Sequence, residues 1–121
     1  MTLRQKQSLF VKYLGMLIEY AYRRGYELTL ADGSIDNPRF MRGSDGELRK
    51  MEDAHHMRGS LHYKRLAQDL NLFVKGKWIT QGDHPAWKDL GEFWEKLDPI
   101  CRWGGRFRDA NHFSLTHEGK A

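Results

Sequence analysis

Cysteine is nearly absent. The single Cys101 cannot close an internal disulfide, and one thiol cannot build a cysteine zinc cluster, so any metal must be held mainly by His, Asp or Glu. No apolar stretch approaches the roughly 20 residues needed to cross a bilayer. The charged content of 30% and a mean hydropathy of −0.74 agree with that exclusion. An apolar signal core is also missing: Met1 to Gln7 lead into an amphipathic pattern broken by Lys12, Glu19 and Arg23, so no signal peptide is expected. Internal repeats and low-complexity tracts are lacking, which favours one domain. Nor does one sign of charge dominate. The net charge of +4 suits a polyanion such as nucleic acid, anionic lipid or an acidic wall polymer, but its modest, dispersed character selects none of them.

The 121 residues are 40% hydrophobic and include four Trp, five Tyr and six Phe, which is sufficient for the core of one domain. Leu3, Phe10, Leu14, Leu17, Ile18 and Ala21 recur at helical spacing. Thr2 with Gln5 forms a capping box and Gly25 a stop, so a helix is expected over 2–24. Tyr26 to Leu30 reads as a strand, followed by a loop to Met41; Ser44 and Glu47 open a short helix from Asp45 to His56. Leu66 to Phe73 is the most strand-like segment. Lys75-Gly76-Lys77 then turns it into a hairpin with Trp78-Ile79-Thr80. Asp83 to Pro85 start a helix that carries Trp87, Leu90, Phe93, Trp94 and Leu97 inward and stops at Asp98-Pro99. Gly104-Gly105 reads as a flexible bend and His112 to Thr116 as a last strand. This order predicts a single α+β domain: a small antiparallel sheet with packed helices. Trp78, Trp87 and Trp94 are assigned to the core, and His84 and His117 to the surface.

Metal-ligand residue types fall in a split set, Ser60-Leu61-His62 and Ala67-Gln68-Asp69, then Asp109-Ala110-Asn111-His112. Two imidazoles and a carboxylate can hold one zinc and leave a position open for water, while Asp109 stands close to His112 as a proton acceptor. Together they suggest a hydrolase. Each residue also has a plainer reading. A carboxylate in a buried strand needs a partner, which Lys64 or Arg65 can supply for Asp69, and a lone histidine is more often a hydrogen-bonded residue than a ligand. His55 and His56 read as residues of a helix end.

What joins the three positions is a shared pattern. Ser60-Leu61-His62-Tyr63-Lys64-Arg65-Leu66-Ala67-Gln68-Asp69, Trp103-Gly104-Gly105 and Asp109-Ala110-Asn111-His112-Phe113 resemble the VanY-type D-Ala-D-Ala carboxypeptidase and L-alanyl-D-glutamate endopeptidase family of zinc peptidases. The likeness is strongest to compact phage endolysins, through Leu66 to Phe73 and Cys101 to Phe107. It implies Zn2+ held by His62, Asp69 and His112, with Asp109 as the catalytic carboxylate. It further implies substrate contacts from Ser60, Arg65 and Trp103. Many family members have glycine where this chain has Arg65, although the small phage enzymes often carry arginine. The family's Arg-Thr-x-x-x-Gln substrate segment is not recognisable between Asp32 and Arg58, which leaves Arg39 or Arg42 as its replacement.

On this resemblance residues 1–121 form one zinc peptidase catalytic domain with no separate wall-binding domain. It acts on the peptidoglycan stem peptide, at the L-alanyl-D-glutamate bond, and is cytoplasmic until a holin-like, membrane-permeabilising partner releases it to the wall. Nucleic acid is not an expected partner. Three alternatives stay open: a D-Ala-D-Ala carboxypeptidase, a non-catalytic zinc-containing wall-binding module, and a metal-dependent nuclease suggested by the basic charge and the His, Asn and Asp around Asp109.

Overall fold

Helix α1 runs from Leu3 to Arg23, and Thr2 caps it as the sequence predicts: the Thr2 hydroxyl accepts from Gln5 N at 3.1 Å while Gln5 Oε1 accepts from Thr2 N at 2.8 Å. Phe10, Leu17 and Ala21 form its buried stripe. Gly25, at φ 84°, supplies the left-handed residue that turns the chain out of the helix. The computed structural model describes residues 1–31, 61 and 64–121; the loop and short helix expected between Asp32 and His56 lie outside the described residues.

Five strands form one antiparallel sheet among the described residues. They are β1 (Tyr26–Ala31), β2 (Ala67–Val74), β3 (Lys77–Trp78), β4 (Cys101–Trp103) and β5 (His112–Leu115), in the order β1-β2-β5-β4 with β3 paired to β2. Lys75 and Gly76 join β2 to β3 with φ of 53° and 77°, two successive positive values of the kind a tight hairpin turn requires. Helix α2 (Pro85–Leu97) begins with Pro at its first position. His84 is its N-cap, with Nδ1 accepting from Ala86 N at 3.0 Å. His84 therefore has a structural task that its assignment to the surface overlooked.

The fold is α+β, with α1 and α2 packed on the sheet. Trp94, fully buried, is the centre of the packing: Phe10 and Phe113 meet it edge-on at 5.7 and 5.9 Å, and its indole N–H donates to Ser114 O at 3.0 Å. Burying an aromatic side chain of this size contributes on the order of 3 kcal/mol. Leu61 is also buried, and its carbonyl accepts from Leu66 N at 2.7 Å just before β2.

Two further side chains depart from expectation. Trp78 is 57% exposed: it lies on β3, a two-residue strand paired with Phe73 and Val74 at the end of β2. His117 is half-buried, since Lys6 Nζ reaches its Nδ1 at 3.1 Å and draws the C-terminal turn onto α1. No helix among the described residues is long and apolar enough to cross a membrane.

Candidate functional site

Asp69 lies in β2, which is flanked by β1 and β5, and its cross-strand partners are Ala31 on one side and His112 on the other. Register alone thus brings two candidate ligands that are far apart in sequence side by side. Asp69 Oδ1 and His112 Nδ1 are 3.2 Å apart, and their side chains are 9% and 13% exposed. The desolvated Asp69 has a specific neighbour in His112; of the two cations named as partners from the sequence, Arg65 is exposed and Lys64 half-buried.

The second carboxylate arrives through a turn. His112 N donates to Asp109 O at 3.0 Å, closing a four-residue β-turn that sets the two side chains of the Asp-x-x-His motif on one side. The other turn carbonyls are also held: Ala110 O accepts from the Trp103 indole at 2.7 Å, and Asn111 O accepts from Leu70 N at 2.9 Å. Asp109 Oδ2 lies 4.0 Å from His112 Nδ1, and its side chain is 55% exposed. One donor atom each from Asp69, Asp109 and His112 fall within 4.8 Å of one another.

The glycines of Trp103-Gly104-Gly105 are needed for space, not for flexibility. This segment is a 3-10 turn (Gly104–Phe107) between β4 and the Asp109 turn. A Cβ on Gly104 would stand 2.3 Å from Asp109 O and 2.7 Å from His112 Cβ. Cβ atoms on Gly105 and on Gly91 of α2 would strike the Trp103 ring at 2.1 and 2.0 Å, so Trp103 fills a slot that only these glycines leave open. Glu95 fastens the turn from α2, accepting from Trp103 N at 3.0 Å and pairing with Arg106 at 2.7 Å. Burial raises the Glu95 pKa, but the Arg106 and Trp103 hydrogen bonds outweigh it and hold the carboxyl below its ordinary value. Burial pushes the Cys101 thiol up to about 12, which makes it an inert core residue.

The donor chemistry fits zinc. Two donors about 2.0 to 2.1 Å from a tetrahedral zinc stand roughly 3.3 Å apart, close to the Asp69–His112 spacing of 3.2 Å. Asp109 is farther from His112 and open to solvent. His62, Ser60, Arg39 and Arg42 lie outside the described residues. Arg65 sits on an exposed turn at φ 60°, and Trp103 is 8% exposed, bordering a cleft.

Two clefts meet at this site. One, of about 290 Å³, is bordered by Leu70, Asn71, Trp78, Thr80, Arg108 and Asp109. The other, of about 580 Å³, is bordered by His84, Lys88, Glu92, Trp103, Arg106 and Arg108, and shares Gly82, Arg108 and Ala110 with the first. Sequence reasoning missed Trp78 and Arg108 as cleft residues. Neither carries a local signal, because the clefts arise only where β3, the start of α2 and the Asp109 turn converge.

A family model described as D-alanyl-D-alanine carboxypeptidase matches residues 54–115 of the chain. No curated protein matches it, and no solved structure does.

Proposed function

This chain belongs to the VanY-like D-alanyl-D-alanine carboxypeptidase family, and from that premise we propose that it is a zinc peptidase of the endolysin type that cleaves the L-alanyl-D-glutamate bond of peptidoglycan stem peptides. The observation that carries the reading is the convergence of Asp69, Asp109 and His112 from two strands and a turn, within a matched segment that also contains His62.

Zinc held by His62, Asp69 and His112 would supply a Lewis acid for the scissile carbonyl and lower the pKa of water toward neutrality. Asp109 carries the proton. Its exposed Oδ2 accepts it from the attacking water and returns it to the leaving amine, a role suited to a carboxylate near, but farther out than, the two buried side chains. Strand pairing sets the backbones of Asp69 and His112 side by side before substrate arrives, which lowers the cost of organising them. Trp78 offers an apolar wall to the peptide in the smaller cleft.

What supports an endopeptidase is that the cleft bordered by Asp109 adjoins a second, larger one through Gly82, Arg108 and Ala110, which leaves room for a chain that continues past the scissile amide. The family model's description favours a second reading, removal of a terminal D-alanine by the same residues. As an endolysin the protein would act from the cytoplasm through a membrane-permeabilising partner, with its net charge of +4 attracting it to the anionic wall.

The test is to incubate purified peptidoglycan with the zinc-loaded wild type and with Asp109→Ala, then identify released peptides and new amino termini by mass spectrometry. New D-glutamyl amino termini from the wild type alone support the endopeptidase; released D-alanine supports the carboxypeptidase. No cleavage by a zinc-bound wild type sinks both in favour of a binding module. Asp109→Ala should bind zinc and lose roughly 100-fold to 10,000-fold in rate, the range for a positioned acid–base group.

A further inference from the structure

Arg108 stands out among the cations around the site. It immediately precedes Asp109 and borders both clefts. Its neighbour Arg106 is committed to Glu95 at 2.7 Å and lies over the Trp103 ring at 6.0 Å, whereas Arg108 is exposed and makes no ion pair among the described residues. Its backbone is left-handed, at φ 64° and ψ 33°, a conformation in which an arginine is disfavoured and glycine is at ease. The turn geometry demands that conformation: Arg108 ends the 3-10 turn, and Asp109 N must return to Gly104 O at 2.8 Å. Glycine would suit that turn better, and Arg65, Lys75 and Glu118 share the left-handed conformation; what sets Arg108 apart from them is that it borders both clefts beside Asp109.

The substrate supplies one. A glutamyl residue has two carboxyl groups and only one continues the peptide, so the residue after an L-alanyl-D-glutamate bond retains a carboxylate near the scissile amide. A terminal D-alanine likewise ends in a carboxylate. Resting on the peptidase reading above, we propose that Arg108 is the specificity-determining residue of this site, holding the carboxylate of the residue that follows the scissile amide. A guanidinium suits that task because its planar fork can donate two parallel hydrogen bonds to a carboxylate. Its location between the clefts places the charge beside Asp109 without requiring it among the buried candidate ligands.

The experiment compares two synthetic stem peptides, one with the free glutamyl carboxylate and one with that group as its primary amide, using zinc-loaded wild type, Arg108→Gly, Arg108→Gln and Arg108→Lys. Arg108→Gly removes the charge while easing the backbone, so its thermal midpoint should match or exceed that of wild type. Wild type should prefer the carboxylate peptide. Arg108→Gly and Arg108→Gln should raise KM for it by about tenfold or more, as expected for a lost charge-assisted pair. Their kcat should stay within about twofold, with kinetics on the amide peptide unchanged. Arg108→Lys should recover part of the preference. A wild type indifferent to amidation overturns the inference, as does an Arg108→Gly that weakens both peptides equally. Cleavage of neither peptide by wild type sinks the peptidase reading and this inference together.

Discussion

Arg65 shows how one dihedral angle explains a departure from a pattern. It lies at φ 60° on the turn into β2, where an L side chain crowds the backbone and glycine does not. The resemblance implies glycine here in many family members and arginine in the small phage enzymes, and a left-handed backbone is a physical reason why glycine suits the position. Left-handed backbone costs a non-glycine residue about 1 to 2 kcal/mol, while the greater unfolded-state freedom of glycine takes back about 0.5 to 1 kcal/mol. Arg65→Gly should therefore stabilise the fold by about 0.5 to 1 kcal/mol. A urea titration decides it: a midpoint that falls with an unchanged slope would show that the Arg65 side chain contributes more than its backbone costs. The grouping of Asp69, Asp109 and His112 was more legible than this turn, because these residues sit in local motifs, the first two as candidate ligand and candidate catalytic carboxylate and the third as candidate ligand. Trp78 was misread as core, since the two-residue β3 that carries it is too short to show a period.

At the scale of elements, α1, β2 and α2 were legible because their apolar periodicity and caps are contiguous in the chain. The strand β4 was not. Cys101-Arg102-Trp103 is too short to show a period, and it becomes a strand by pairing with Leu115, Ser114 and Phe113 of β5. Likewise, the Gly104-Gly105 pair signals a bend in sequence, but its steric purpose depends on Trp103 lying between the 3-10 turn and α2. This packing reverses a familiar preference. Gly91 is inside α2, where replacing glycine by alanine ordinarily gains up to about 1 kcal/mol. Here the new methyl would meet the Trp103 ring at 2.0 Å, and Trp103 in turn holds the Asp109 turn through Ala110 O. Gly91→Ala should instead destabilise by about 1 to 3 kcal/mol, the range for an overpacked core, and reduce zinc affinity in the same protein preparation. Chemical denaturation with a parallel zinc titration measures both effects, and a stabilised variant would mean that Trp103 does not transmit the packing of α2 to the site.

For the whole molecule, one carboxylate ties both helices to the first strand of the sheet. Asp89 of α2 accepts from the hydroxyls of Tyr20 in α1 and Tyr26 in β1, and from Arg24 Nε between them. Tyr20 is also stacked on Phe93 at 4.0 Å, so polar and aromatic contacts close the same seam. Burial raises the Asp89 pKa, but its three donors outweigh that effect and hold it below the ordinary carboxylate value. The charged carboxylate is thus favoured more in the folded than in the unfolded chain. Its contribution is complete above the unfolded pKa of about 3.9 and fades as pH falls through the lower folded value. Asp89→Asn should cost about 1 to 3 kcal/mol near neutral pH, chiefly through its two tyrosine partners. That penalty should remain level down to about pH 5 and shrink below about pH 4, so that the thermal midpoints of wild type and variant converge in acid. Melting both proteins across that range separates this linkage from the shared acid loss of other carboxylates such as Glu95, which affects each protein alike. A gap between the two curves that stays constant to pH 3 would mean that the Asp89 contribution does not depend on its charge, and the seam would then be a packing contact instead of an ionic one.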